Sequence, residues 1–458
     1  MKKITALVFA VSLIACCLSA PVWAQEKSKD EKLRDALQEI ERLKGRLGEL
    51  EGVVKEISGA KPDAKPTHAE KRKQSVKWNE ITMGSSMLRF YGFARLDMIH
   101  SDSRPNNTQF PAFVRSEDPT APVAIGSAAN ASAFTMHPRL TRFGADFFGP
   151  NIERLGDAKV SGKLEIDFYN VPSSESRNAP RMRHAWLKLA WDDFSILAGQ
   201  TNDVISALYP VVNPDFCLWG AGNLGDRRPQ LRPEWMPKIG EGRLILQGEI
   251  GLTGANDAQD LDPAANGGFR DGETSGVPTF QGRVAFRHPF WEKKGNFELG
   301  LWGHTAREKT DTPQGASGRQ RFTSEVIGLD VTVPIYQDVL WVKGELWQGK
   351  NLTDVRGGIL QGINTVTGQE VHSEGGWFEL GAKPCKWLTV HGGFSFDDPR
   401  DSDLAAGARS KNQIWYLAAR GFFDPVEIGI DYLNWTTKYV GFTKGDDNRV
   451  QGYIMYKF

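Results

Sequence analysis

The chain has 458 residues, with 56 Lys plus Arg against 56 Asp plus Glu; 40% of residues are hydrophobic and 24% charged. That balance excludes a disordered polyelectrolyte and a basic nucleic-acid-binding protein. Beyond the first two dozen residues no apolar run reaches the ~18–20 residues of a membrane helix, so a helical membrane bundle is excluded too. A membrane protein made of strands is not, because a barrel strand needs only alternate residues to be apolar.

Lys2 and Lys3 precede an apolar stretch from Ile4 to Leu18, and Val22-Trp23-Ala24 closes it. This reads as a secretory signal over residues 1–24, cleaved after Ala24. Leu13-Ile14-Ala15-Cys16 offers a rival, a lipoprotein box in which Cys16 becomes the lipidated first residue. Either route exports the chain. Cys217 and Cys385 then remain, too far apart for a disulfide framework or for metal-ligand spacing, and they read as two unpaired thiols.

Residues 25–60 carry an apolar heptad seam. Leu33, Ile40, Leu47 and Val54 fill one position, and Ala36, Leu43, Leu50 and Ile57 the other. The seam predicts an α-helical coiled coil, with Glu39 and Lys44, and Arg46 and Glu51, placed to pair with a parallel neighbour. Gly45, Gly48 and Gly52 weaken the helix and leave open a single amphipathic helix packed on another surface. Lys61-Pro62 and Lys65-Pro66 start a charged linker over 61–86. Its basic run, Lys71-Arg72-Lys73, is a solvated face or a contact for anionic lipid or the cell wall.

From residue 87 the chain alternates. In 88–98, Leu88, Phe90, Ala94, Leu96 and Met98 oppose Arg89, Tyr91, Arg95 and Asp97. Stretches 159–169, 296–305, 340–348, 386–396 and 450–458 repeat the period of two that marks a strand with one apolar face. The strands run about nine to thirteen residues, which suits a tilted bilayer crossing. Short connections near Gly149–Asp157, Asp192-Asp193, Gly240-Glu241, Pro289–Gly295, Pro334–Asp338, Pro384-Cys385 and Asp424-Pro425 alternate with long polar segments. These are 101–133, 170–180, 201–231, 255–278, 307–320, 350–373, 397–411 and 437–447. Aromatics gather beside the short turns: Phe147, Phe148, Trp191, Phe290, Trp291, Tyr336, Trp341, Trp387, Phe422 and Phe423. That asymmetry and that girdle predict an all-β transmembrane antiparallel barrel over 87–458, with sixteen strands and a water-filled interior. The weakest strand is the sixth, about 232–239, because Pro233 and Pro237 fall inside it; fourteen or eighteen strands stay open.

Tyr91-Gly92-Phe93-Ala94-Arg95-Leu96-Asp97 resembles the first-strand motif of DcaP-type porins. Arg181 to Leu189, followed by Leu197-Ala198-Gly199-Gln200-Thr201, is similar to that family's fourth and fifth strands. Arg227-Arg228-Pro229-Gln230-Leu231-Arg232 resembles its third-loop segment. The resemblance, which extends to the phosphate-selective porins, covers most of the exported chain. It implies a homotrimeric channel in the outer membrane, bathed in its lipid, with the coiled coil in the periplasm and a preference for small anions such as dicarboxylates. The loops depart from the family, so the solute does not carry over. The terminal Phe458 resembles the signal read by the barrel assembly machinery.

Inward positions mix Arg89, Arg95, Lys163, Arg243, Arg283, Arg287 and Lys343 with Asp97, Glu165, Asp167, Glu249, Glu298, Glu345 and Asp431. Solvation of a wet lumen accounts for most of them. The long third loop, 201–231, holds an apolar patch from Val204 to Tyr209 that suits packing inside the barrel. Arg227, Arg228 and Arg232 close that segment, Arg181 and Arg183 begin the neighbouring strand, and Arg89 and Arg95 lie on the first strand. Together these seven form the candidate anion-preferring constriction, since guanidinium donors match carboxylate and phosphate oxygens. The competing reading pairs these arginines with Asp215, Asp226 and Glu234 as structural locks. The scattered histidines match no nucleophile–base–acid motif, and there is no phosphate-cradling loop or metal-ligand cluster, so neither an enzyme nor a cofactor is expected. A barrel that serves to tether the envelope through its coiled coil is the alternative role.

Overall fold

The computed structural model describes residues 79–458, except 108–110, 123–125, 127–130, 170–177, 214–216, 257–258 and 263–266. N-terminal of these it describes only Glu41 and Gly45, both helical. The expected signal, Cys16 and nearly all of the coiled coil and linker therefore lie outside the described residues. Among the described residues no helix is long and apolar enough to cross a membrane.

Sixteen strands close into one antiparallel barrel. In chain order they are β1 (Ser86–Ser101), β2 in two pieces (Ala133–His137 and Arg142–Ile152), β3 (Ala158–Asp167), β4 (Arg181–Ala190), β5 (Phe194–Asn202), β6 (Arg227–Trp235), β7 (Gly242–Gly251) and β8 (Thr279–Phe290). Then come β9 (Gly295–Gln314), β10 (Arg319–Tyr336), β11 (Leu340–Lys350), β12 (His372–Cys385), β13 (Leu388–Pro399), β14 (Arg409–Phe423), β15 (Val426–Tyr439) and β16 (Phe442–Lys457). Closure joins β1 to β16, from Phe93 opposite Lys457 to Ser101 opposite Arg449. Closing the sheet removes the unpaired edge that would otherwise face lipid or another chain.

Below that seam β16 ends, and Glu80–Met83 takes its place beside β1, with Glu80 opposite Arg89. Phe458 exchanges two backbone hydrogen bonds with Gly92, at 3.1 and 3.2 Å, just above this junction. The chain's last residue thus completes the seam.

Alternation along each strand separates two environments. Leu164, Leu187, Val284, Leu301, Leu346, Phe378, Trp415 and Ile454 are exposed on the outer face, while Asp97, Asp330, Glu379, Asp397 and Gln451 are buried inside. An outer surface so apolar is ruinous in water and costs nothing in hydrocarbon. Near the short turns, aromatic rings pair across the connections: Trp191 with Phe194 at 5.7 Å, Trp291 with Tyr336 at 5.8 Å and Trp387 with Phe423 at 5.5 Å between centroids. This is the expected girdle at the short-turn end.

Three expectations need correction. First, the sixth strand is Arg227–Trp235 and not 232–239, and it contains Pro229 and Pro233. It tolerates them because of their direction. Pro229 accepts the Leu252 N–H at 3.0 Å from the β7 side, so the proline nitrogens also face β7. The ladder to β7 has a gap there, between Glu234 opposite Gln247 and Leu231 opposite Ile250, whereas pairing to β5 is continuous. Second, the segments 307–320 and 437–447 are not loops. β9 and β10 run 20 and 18 residues and turn only at 315–318. β15 and β16 turn at 440–441, where Gly441 has φ +80°. Third, strands are therefore not confined to nine to thirteen residues. Both hairpins continue past the apolar belt, where the outer face carries polar residues such as Thr305, Arg307, Arg321 and Lys438 and the apolar alternation that marks a lipid-crossing strand disappears. Neither Cys217 nor Cys385 takes part in a disulfide.

Candidate pore constriction

The β5–β6 loop, residues 203–226, lies against the inner wall. Its apolar residues are buried on two patches of inward tryptophans. Ile205 and Leu224 join Trp302, Val326, Trp347, Leu352 and Val355. Val212, Leu218 and Ala221 join Trp377, Ile414, Tyr416, Leu433 and Trp435, with Val114 of the β1–β2 loop beside them.

A loop without a strand partner must still satisfy its backbone donors. Here wall carboxylates and one amide do so. The Val204 N–H donates to Gln281 at 2.9 Å and Glu249 at 3.1 Å; the Leu208 N–H donates to Glu345 at 2.8 Å. The Val211 N–H donates to Glu379 at 2.7 Å, and the Asn213 N–H to Asp431 at 3.0 Å. The Ser206 hydroxyl also donates to Glu345. In return, the Tyr209 carbonyl accepts from Lys343 at 2.6 Å and the Val211 carbonyl from Arg420 at 2.8 Å. Strands β7, β8, β11, β12, β14 and β15 thus hold the loop by its main chain.

Arg228 fastens its two ends. The side chain is fully buried; it bonds Asp203 at 2.5 Å at the loop's start and Asp354 at 2.8 Å in the β11–β12 loop. It also donates to the Leu252 carbonyl at 3.0 Å. One guanidinium therefore joins three loops. Removing one member of such a buried network leaves uncompensated charge and costs about 3–5 kcal/mol.

The opposite wall, β2 to β4, carries cations of another kind. A β-bulge sets it up: Glu165 pairs with His184 and Ile166 with Met182, so Arg183 is the extra residue. A bulge re-aims a side chain, and here Arg183 and His184 both face Glu165, at 2.7 and 3.8 Å. Gly199, with φ +132°, backs this distortion from β5, where any Cβ would run into the Ala185 carbonyl. Arg183 also bonds Asp167 at 2.8 Å, as does Arg181; Arg142 lies 3.5 Å from Glu165. Arg227 and Arg356 both pair with Asp226, at 3.0 and 2.9 Å. Arg227 is close enough to Arg181 and Arg183 to be repelled by them. Five guanidiniums so share three carboxylates. Arg142, Arg181, Arg183 and Arg227 keep 11–26% of their side chains exposed, against 0% for Arg228.

The seven arginines singled out from the sequence therefore divide. Arg181, Arg183 and Arg227 come together on the open wall. Arg95 is buried against Asp97 at 2.7 Å, Asn213 at 2.8 Å and the Tyr453 ring, so it ties β1 to the loop. Arg228 is the lock described above. Arg232 bonds Gln230 at 2.9 Å and the Asn202 carbonyl, and lies 3.9 Å from Glu234. Arg89 sits towards the short-turn end of β1 and pairs with Glu80 at 3.1 Å. Asp215 is outside the described residues. Sequence reasoning missed Arg142 and Arg356. Arg142 had a faint signal, since it resumes the polar alternation after Pro138; Arg356 sits in an irregular loop and had none.

The fold defined by these features is that of outer-membrane porins. No family model and no curated relative matches the chain. Solved structures do. The outer membrane channel DcaP of Acinetobacter baumannii aligns at TM-score 0.60 and 18% identity, over 82% of this chain and 99% of its own. An anion-selective porin from Comamonas acidovorans aligns at TM-score 0.50 and 13% identity, over 81% of this chain and 100% of its own. OmpF of Salmonella typhi aligns at TM-score 0.50 and 12% identity, over 83% and 100%. The barrel expected from the resemblance to DcaP-type porins is thus the observed fold.

Proposed function

We propose that this protein is an outer-membrane channel for passive diffusion of small hydrophilic solutes, and that it prefers anions. The observation that carries the reading is an excess of cations: Arg142, Arg181 and Arg183 on the β2–β4 wall, Arg227 at the start of β6 and Arg356 in the β11–β12 loop share only three carboxylates. On the loop-bearing wall Glu345, Glu379 and Asp431 are engaged by backbone N–H groups of the loop, and Glu379 and Asp431 also by Lys343, His391 and Arg420. A carboxylate or phosphate in the lumen is attracted by this excess of positive charge on Arg142, Arg181, Arg183, Arg227 and Arg356. Homotrimeric assembly, and recognition of Phe458 by the barrel assembly machinery, belong to the same reading.

The test is the reversal potential in a planar bilayer under a KCl gradient. Each arginine changes the energy of a contacting anion by about 1 kcal/mol in water. Replacing Arg181, Arg183 and Arg227 by Ala should lower the anion-to-cation permeability ratio about tenfold after screening. The preference should also shrink at 1 M salt, where the Debye length is only ~3 Å. An unchanged ratio in the triple variant would sink the proposal.

A further inference from the structure

The sequence shows no metal-ligand spacing, yet the fold gathers three aspartates in the β7–β8 loop. One carboxylate oxygen each of Asp260, Asp262 and Asp271 lies within 4.8 Å of the other two. Asp262 and Asp271 are buried, at 6% and 2% exposure. Asp262 Oδ2 accepts the N–H groups of Asp311 and Thr312, at 2.5 and 3.0 Å, from the outer extension of β9. Asp271 Oδ2 accepts the Leu261 N–H at 3.0 Å. Its other oxygen, Oδ1, is buried with no hydrogen-bond partner. Two buried carboxylates that face one another need something positive between them, either a shared proton or a cation. A third carboxylate at the rim favours the cation, because one proton offsets a single charge of three. An unsatisfied buried carboxylate oxygen is otherwise among the more costly groups to bury.

We propose that Asp260, Asp262 and Asp271 form a binding site for a hard divalent cation of the Ca2+ class, which fastens the β7–β8 loop to the tip of β9. All-oxygen ligands suit Ca2+, and its tolerant geometry suits three carboxylates from a loop completed by water. Sites with so few protein ligands on secreted modules bind at about 10⁻⁴–10⁻³ M. The site connects to the constriction through bonds already described or adjacent. Gln259, next to Asp260, bonds the backbone of Gly362 and Ile363, all at 2.8 Å. Gly254 and Asn256 donate to Asp354, each at 3.0 Å, and Asp354 holds Arg228. A cation at the mouth thus stiffens the frame on which the β5–β6 loop is hung.

Trypsin cleavage after Arg270, beside Asp271, reads the site in the full-length protein in detergent. Millimolar Ca2+ should slow cleavage at least fivefold relative to EGTA. Tb3+ should bind with sensitised luminescence that Ca2+ displaces. Asp262→Asn or Asp271→Asn should raise the Ca2+ concentration needed for protection at least tenfold. Barrel folding of each variant is checked by its heat-dependent gel mobility. If wild-type cleavage is the same in 5 mM Ca2+ and in EGTA, the proposal is overturned. It is equally overturned if protection is set by pH alone, the shared-proton outcome, or if the variants keep wild-type Ca2+ dependence. None of these results bears on the reversal potential of the arginine variants.

Discussion

The two walls of the lumen use the same charged residue types for opposite ends. On the wall from β7 to β15, Glu345, Glu379 and Asp431 are buried and accept N–H groups of the β5–β6 loop. On the wall from β2 to β4, Arg142, Arg181 and Arg183 share only Glu165 and Asp167. Listing the charges that point inward therefore says little about selectivity. What matters is which of them stay uncommitted once the loops have docked. Arg227 and Arg228 show this most sharply. They are consecutive, yet one is partly exposed beside Arg181 and Arg183, and the other is fully buried among three loops.

The largest effect should come from breaking the lock. Arg228→Ala leaves Asp203 and Asp354 buried without their cation, and should cost about 3–5 kcal/mol. A fall in the thermal unfolding midpoint in detergent, with little change in anion preference, is the expected pattern. If the midpoint holds and selectivity collapses, the division between the two walls is wrong.

A smaller effect should follow from removing one loop acceptor. Glu345→Ala deprives the Leu208 N–H of its partner and leaves the Ser206 hydroxyl only its longer bond to Asn223 at 3.2 Å. Each buried donor left unsatisfied costs about 1–3 kcal/mol. The loop should loosen locally, seen as added noise in single-channel currents, while Glu345→Gln, which keeps an acceptor oxygen, should stay quieter. Equal noise in both variants and wild type would show that the apolar patches alone hold the loop.

The smallest effect lies at the rim, where Asp403 in the β13–β14 loop accepts the His372 N–H at 3.1 Å and its ring Nδ1 at 2.8 Å. Burial pushes the Asp403 carboxyl up, but bonds from the His372 N–H, the His372 ring and Ser402 outweigh it and hold it below the ordinary value of 3.8. A depressed carboxyl contributes stability above its unfolded pKa and loses it as pH falls through the folded one. Hydrogen-exchange protection of the His372 amide should thus persist at pH 5 and fade below pH 3.8. Protection that is flat down to pH 2.5 would remove this rim contact from the account.

Much of the fold was legible because lipid imposes a simple code. A strand between hydrocarbon and water must alternate, so Leu299 and Leu301 opposite Trp302 and His304 announce β9. Turns near Trp191, Trp291 and Trp387 announce one interface. The code fades where that constraint ends. The outer halves of β9, β10, β15 and β16 turn a polar face outward instead of an apolar one and read as loops. Pro233 and Pro237 argued against the sixth strand because the direction in which a proline's backbone faces is invisible in sequence.

The sequence by itself determined a barrel with apolar outer and polar inner faces, its short-turn end, and three of the arginines that come together, Arg181, Arg183 and Arg227. The tertiary structure alone decided which arginines remain open. That choice depends on loop docking, on a bulge at Arg183, and on carboxylates such as Asp203 and Asp354 that lie far apart in the chain. It likewise brought Asp271 to Asp260 and Asp262. Alternation is a local consequence of strand geometry, whereas the pairing of charges is settled only when distant segments meet.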